Sequence, residues 1–141
     1  MKRINESLKF LLLLPIIAFM TSCGNDNPET LLKNACKEAK KGCPQQIDEI
    51  TVLKDMSYEN HCFTYFFELE PHELSELIMT SSDEELQNIF SAQFKENARQ
   101  NSDVKEFVKL LLDDNATLYS QYTIKDGSGR TRRVLINYWE D

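Results

Sequence analysis

Two stretches of this chain alternate apolar and polar residues with a period of two. No other feature limits the fold as strongly. Val52, Met56 and Tyr58 alternate in one run, and Phe63, Tyr65, Phe67 and Leu69 in the next. Side chains on a strand alternate between faces, so a slip of one residue would turn a whole set outward. Pairing Tyr58 with Phe63 puts both sets on one face and leaves Glu59-Asn60-His61-Cys62 as the turn. Lys54 falls on the same face in this register and interrupts the apolar pattern.

A second hairpin is expected near the C-terminus. Leu118, Tyr122 and Ile124 alternate, with Ser120 on their face, and Val134, Ile136 and Tyr138 alternate back. Asp126-Gly127-Ser128-Gly129 between them supplies the residues that tight turns require.

Helical spacing fills the rest. Asn27-Pro28-Glu29 reads as a helix start, with a cap, a proline in the first turn and an acid at the positive end. Leu31, Leu32, Ala35, Cys36 and Ala39 follow at helical spacing, and Gly42-Cys43-Pro44 ends the run. Leu74, Leu77 and Ile78 suggest a short helix. Ser82-Asp83-Glu84-Glu85 is a capping box ahead of Leu86, Ile89, Phe90 and Phe94. Asn101-Ser102-Asp103 recaps the chain for a stripe of Val104, Phe107, Val108, Leu111 and Leu112, which ends at Asp113-Asp114-Asn115. Helices segregated from antiparallel hairpins define the α+β class. The expected architecture is one four-stranded antiparallel sheet, made of the two hairpins, with helices on one face. Residues 28–141 form its single domain.

The N-terminus follows different rules. Lys2, Arg3 and Lys9 precede an uncharged apolar run from Phe10 to Met20, too short to cross a bilayer as a helix and interrupted by Pro15. A basic start, a short apolar run and then small residues describe an export signal. Met20-Thr21-Ser22-Cys23-Gly24 at its end resembles the lipobox of bacterial lipoproteins, with Met20 where leucine is usual. That resemblance implies cleavage before Cys23, lipid on its thiol, and a signal over residues 1–22 followed by a tether over 23–27. It also implies membrane attachment in the bacterial envelope, expected at the outer membrane on its periplasmic or its surface side.

Cleavage there removes three basic residues and one acidic one, leaving 13 Lys+Arg against 22 Asp+Glu. Such an acidic chain lacks the positive surface that binds nucleic acid nonspecifically. It also lacks a polybasic membrane patch.

The remaining cysteines are Cys36, Cys43 and Cys62. Export favours disulfides. Cys43 and Cys62 lie at opposite ends of a strand, roughly 25 Å apart, and Cys36–Cys62 is strained in length. Cys36–Cys43 is the pairing expected if the chain reverses at Gly42, and the alternative is a Cys36 buried as a small apolar residue.

The chain has no Cys-x-x-Cys and no pair of histidines at helical spacing, so nothing predicts a metal site. No motif predicts a cofactor. Gly127-Ser128-Gly129-Arg130-Thr131 lacks the spacing and the lysine of a phosphate loop. His61 and His72 read as exposed, and Asp113-Asp114 as a solubilising helix end. Arg130, Arg132 and Arg133 form the one basic cluster, which can take an anionic partner or guard a sheet edge. Phe66 and Trp139 fall opposite the core faces of their runs. These two aromatics and three arginines make up the expected binding face, for a protein or small-ligand partner, in a non-enzymatic interaction module. The rival expectation is a hydrolase whose site assembles only in space.

The order of elements and the features Cys43-Pro44, Ile47-Asp48, the aromatic hairpin, the Leu-rich helix before Asn115 and the turn at Asp126-Gly127 are similar to a group of small exported proteins of the Bacteroidota. That resemblance implies location and fold and carries no activity.

Overall fold

The computed structural model describes residues 27–139. The signal over 1–22 and the lipid site at Cys23 lie outside the described residues. The elements run α1 (Pro28–Lys40), β1 (Gln45–Gln46), β2 (Thr51–Glu59), β3 (Cys62–Leu69), α2 (Glu73–Thr80), α3 (Asp83–Gln100), α4 (Ser102–Asp114), β4 (Thr117–Ile124) and β5 (Thr131–Leu135). The α+β class holds, but the sheet is five-stranded and mixed, in the order β1-β2-β3-β4-β5. Both expected hairpins form. They join through β3 and β4, which run parallel from Cys62 opposite Thr117 to Leu69 opposite Ile124. Parallel neighbours need a long crossover, and α2, α3 and α4 provide it. The fifth strand, β1, is two exposed glutamines paired with Val52 and Leu53, too short and too polar to show a periodicity.

The first hairpin takes the expected register, Tyr58 opposite Phe63. Glu59 also pairs with Cys62, which shortens the turn to Asn60-His61, both at positive φ (51° and 60°). A two-residue turn with positive φ at both positions matches the twist of the strands it joins. Lys54 is the extra residue of a bulge between Leu53 and Asp55. A bulge reverses the parity of a strand. Before it the buried residues are Thr51 and Leu53 rather than Val52, and after it they are Met56 and Tyr58. The lysine that interrupts the pattern is therefore ejected to solvent, near Glu68 at 3.9 Å.

One face of the sheet meets helices. Phe107 of α4 packs edge-on against Phe63, with ring centres 5.0 Å apart, and Phe90 of α3 against Tyr122 at 5.5 Å. Phe67 and Tyr122 stack across the parallel junction at 5.1 Å. Leu32, Leu53, Leu69, Ile78, Leu86, Leu111 and Leu118 complete a fully buried core.

The helix ends match their sequence signals. Asn27 accepts from the Thr30 amide, Ser82 from the Glu85 amide, and Asn101 from the Asp103 and Val104 amides. Asn115 closes α4 in the left-handed region. Leu112, assigned to the core stripe by its spacing, faces solvent instead. Phe107 and Leu111 already fill the side of α4 that meets the sheet. Among the described residues no helix is long and apolar enough to cross a membrane.

Candidate functional site

The face of the sheet away from the helices carries Ser57, Phe66, Tyr119, Gln121 and Arg133. One register row runs Asp55, Phe66, Gln121, Arg133 across β2 to β5. Phe66 and Arg133 therefore flank Gln121 on the same face, as a binding face would require. The Arg133 guanidinium lies 4.0 Å from the centre of the Tyr119 ring, a cation–π contact that fixes its orientation. It also reaches the Cys62 sulfur at 3.5 Å. Among the described residues it makes no ion pair.

The other members of the expected binding face are used elsewhere. Arg130 holds Glu76 of α2 with both terminal nitrogens and Asp126 of its own turn at 2.9 Å. The hydrogen bonds from Ser128 and Arg130 hold the Asp126 carboxyl down at about 2, and Arg130 lowers Glu76 too. Arg132 points to the helix side, where it donates to the carbonyls of Met79 and Ser81 and to the Asp83 carboxylate. Carbonyls at a helix end lack partners within the helix, and this guanidinium supplies them between α2 and α3. Trp139 lies past the end of β5, edge-on to Tyr138 at 5.4 Å. The five residues are thus divided among four places, and only Phe66 and Arg133 share a surface. Consecutive residues of a strand alternate faces, so Arg132 and Arg133 could not act on one ligand.

A polar cluster at the Asn60-His61 turn escaped the sequence reading. His61 Nδ1 is 2.8 Å from Asp114 Oδ1, and its Nε2 is 3.3 Å from Glu29 Oε2. The Tyr58 hydroxyl donates to the other Asp114 oxygen at 2.5 Å. Burial and the Asp114 carboxylate push the Tyr58 phenol well above its ordinary value. His61 is exposed as expected, but Asp114 is not a solubilising residue, since its side chain is 3% exposed. The only sequence sign was His61 at a turn position that demands positive φ.

Glu29, His61 and Asp114 each offer one ligand atom, all within 4.8 Å of one another. Their carboxylates, however, occupy opposite nitrogens of the ring, which is the geometry of a hydrogen-bonded clasp. A cation binds one nitrogen. A base oriented by an acid is half of a hydrolytic triad. Here Nε2 faces Glu29, and the hydroxyl beside the ring, that of Tyr58, lies 3.5 Å from the same nitrogen that meets Asp114 and donates to that carboxylate.

Cys36, Cys43 and Cys62 are free thiols, so the Cys36–Cys43 bridge is not formed. Cys36 is buried in the core, which pushes its thiol up to about 11. Cys43 points back to the Ala39 carbonyl at 3.9 Å. His72 caps α2 through the Leu74 amide at 3.0 Å. An open cleft of about 490 Å³ lies between α1 and β2. Lysines 33, 37, 40 and 41 rim it, but Glu29, Asp55 and Glu38 pair with three of them.

The arrangement defines a two-layer α+β protein with a polar clasp at one hairpin turn and a sheet face that none of the described helices covers. Its fold is similar to the crystal structure of a Pseudomonas aeruginosa protein described as secreted, with a TM-score of 0.56 and 16% identity, covering 81% of this chain and 96% of that one. At that identity the likeness establishes the fold alone. No family model matches the chain, and no curated protein does.

Proposed function

We propose that the protein is a lipid-anchored component of the bacterial envelope that binds a partner on its open sheet face without turning it over. The anchor is Cys23, carried on the tether before Asn27. The binding platform is Phe66, Tyr119, Gln121 and Arg133, and its partner presents an anionic group beside apolar surface. The observation that carries this reading is Arg133. Of the three clustered arginines it alone lacks a carboxylate among the described residues, and Tyr119 holds it on the face that no described helix covers. A fixed guanidinium beside an amide and aromatic rings recognises carboxylate or phosphate.

The anchor is tested by membrane fractionation of the native protein against Cys23→Ala. Only the native form should sediment with membranes, and a membrane-bound Cys23→Ala would end the lipoprotein reading. The face is tested by titrating isotope-labelled protein with inorganic phosphate as the simplest anionic probe. Amide shifts should gather at Tyr119, Gln121 and Phe66 and disappear in Arg133→Gln. Shifts that persist in Arg133→Gln would remove Arg133 from the site.

A further inference from the structure

Leu112 and Trp139 are the two large apolar side chains left exposed among the described residues, at 51% and 40%. Tyr138 links them. Tyr138 lines the groove between α3 and α4 that Leu112 also lines, and Trp139 packs edge-on against Tyr138. The Tyr138 hydroxyl donates to the carbonyls of Leu111 and Ala116, which fixes this corner to the end of α4.

The same corner adjoins the start of the described chain. Asp114, the last residue of α4, holds His61, and His61 meets Glu29, two residues past Asn27. From Cys23 to Asn27 there are four residues, which span at most about 14 Å when fully extended. A lipid on Cys23 therefore keeps this end of the protein near the bilayer.

We infer that Leu112 and Trp139 form a membrane-contact patch that seats the anchored domain on its own bilayer. The inference rests on the lipoprotein reading proposed above. Tryptophan favours the membrane interface, where its ring is apolar and its N–H stays wet. Two apolar side chains are too few to recruit a protein alone, but they can orient one that is already tethered. Lys95, Arg99 and Lys105 line the same groove as Leu112 and Tyr138, so headgroup phosphates meet cations beside the apolar contact. Seating in this way directs α1, the clasp and the end of α4 toward the membrane.

Trp139 is the only tryptophan of the chain, so its fluorescence reports the patch without a label. The experiment uses the full lipidated protein in phosphatidylcholine–phosphatidylethanolamine vesicles, with and without brominated acyl chains, and follows flotation and emission together. The expected result is flotation with blue-shifted Trp139 emission that brominated lipid quenches. Leu112→Ser should weaken the quenching while flotation persists. Flotation with unquenched, water-like emission would overturn the patch and leave the anchor standing. Failure to float would overturn the anchor and the patch with it.

Discussion

Asp114 accepts the Tyr58 hydroxyl at 2.5 Å and the His61 ring at 2.8 Å, joining the end of α4 to a hairpin more than 50 residues earlier in the chain. With its side chain 3% exposed, this carboxylate depends on those partners in place of water. Hydrogen bonds to a buried charged group contribute about 1.5–3 kcal/mol each. Asp114→Ala is expected to lower the unfolding free energy by about that amount. In a double-mutant cycle with Tyr58→Phe, denaturant unfolding should show coupling of at least about 0.5 kcal/mol. Additive effects would mean that the hydroxyl and the carboxylate do not act together.

Arg132 does the work of a helix cap from a distant strand. Without it the carbonyls of Met79 and Ser81 lose their donor. Arg132→Ala is expected to cost about 1–3 kcal/mol and to speed hydrogen exchange around the α2–α3 junction. Arg132→Lys should not restore the loss, because an ammonium cannot span three acceptors as the guanidinium fork does. Full rescue by lysine would reduce the interaction to charge alone.

The acid response of the β4–β5 turn has a defined sign. Asp126 titrates at about 2 in the folded protein, below its ordinary 3.8, held there first by Ser128 and then by Arg130. A depressed carboxyl contributes stability that is present above the unfolded value and fades as pH falls toward the folded one. Carboxyl NMR should find the Asp126 midpoint near the lower value and move it part of the way up in Arg130→Ala, since the Ser128 hydrogen bonds remain. Glu76 should rise in the same variant. An Asp126 midpoint that Arg130→Ala leaves unmoved would show that Arg130 does not hold this carboxylate.

Cys36 should be a slow nucleophile. With its thiol pushed from 9.0 to about 11, the thiolate near neutral pH is about 100-fold scarcer than for an unshifted cysteine. Alkylation of the native protein followed by mass spectrometry should leave Cys36 unlabelled until denaturant is added. Rapid labelling under native conditions would show that the α1–sheet packing opens readily.

Much of the fold was legible because each element declares locally what it buries. The aromatic alternation from Phe63 to Leu69 identified β3, and Ser82 and Asn101 marked the helix starts. The Tyr58–Phe63 register followed from the requirement that both apolar sets share a face. Val52 and Leu112 were misplaced because a period read from sequence assumes an unbroken strand and a helix packed over its full stripe. The bulge at Lys54 breaks the first assumption, and the end of α4 breaks the second. The parallel junction of β3 and β4 left no local sign, since either hairpin reads the same with or without it.

The sequence by itself determined the α+β class, both hairpins, the helix caps and the acidic balance, because these depend on neighbours within a few residues. Only the tertiary structure decided which arginines meet carboxylates, which carboxylate is buried, and which apolar side chains reach solvent. Arg130 and Arg132 met acids of α2 and α3, Arg133 met none among the described residues, and Asp114 met Tyr58 and His61, because the crossover helices and the sheet bring distant segments together. Whether a charge is free or paired depends on those long-range neighbours, and a local pattern does not encode them.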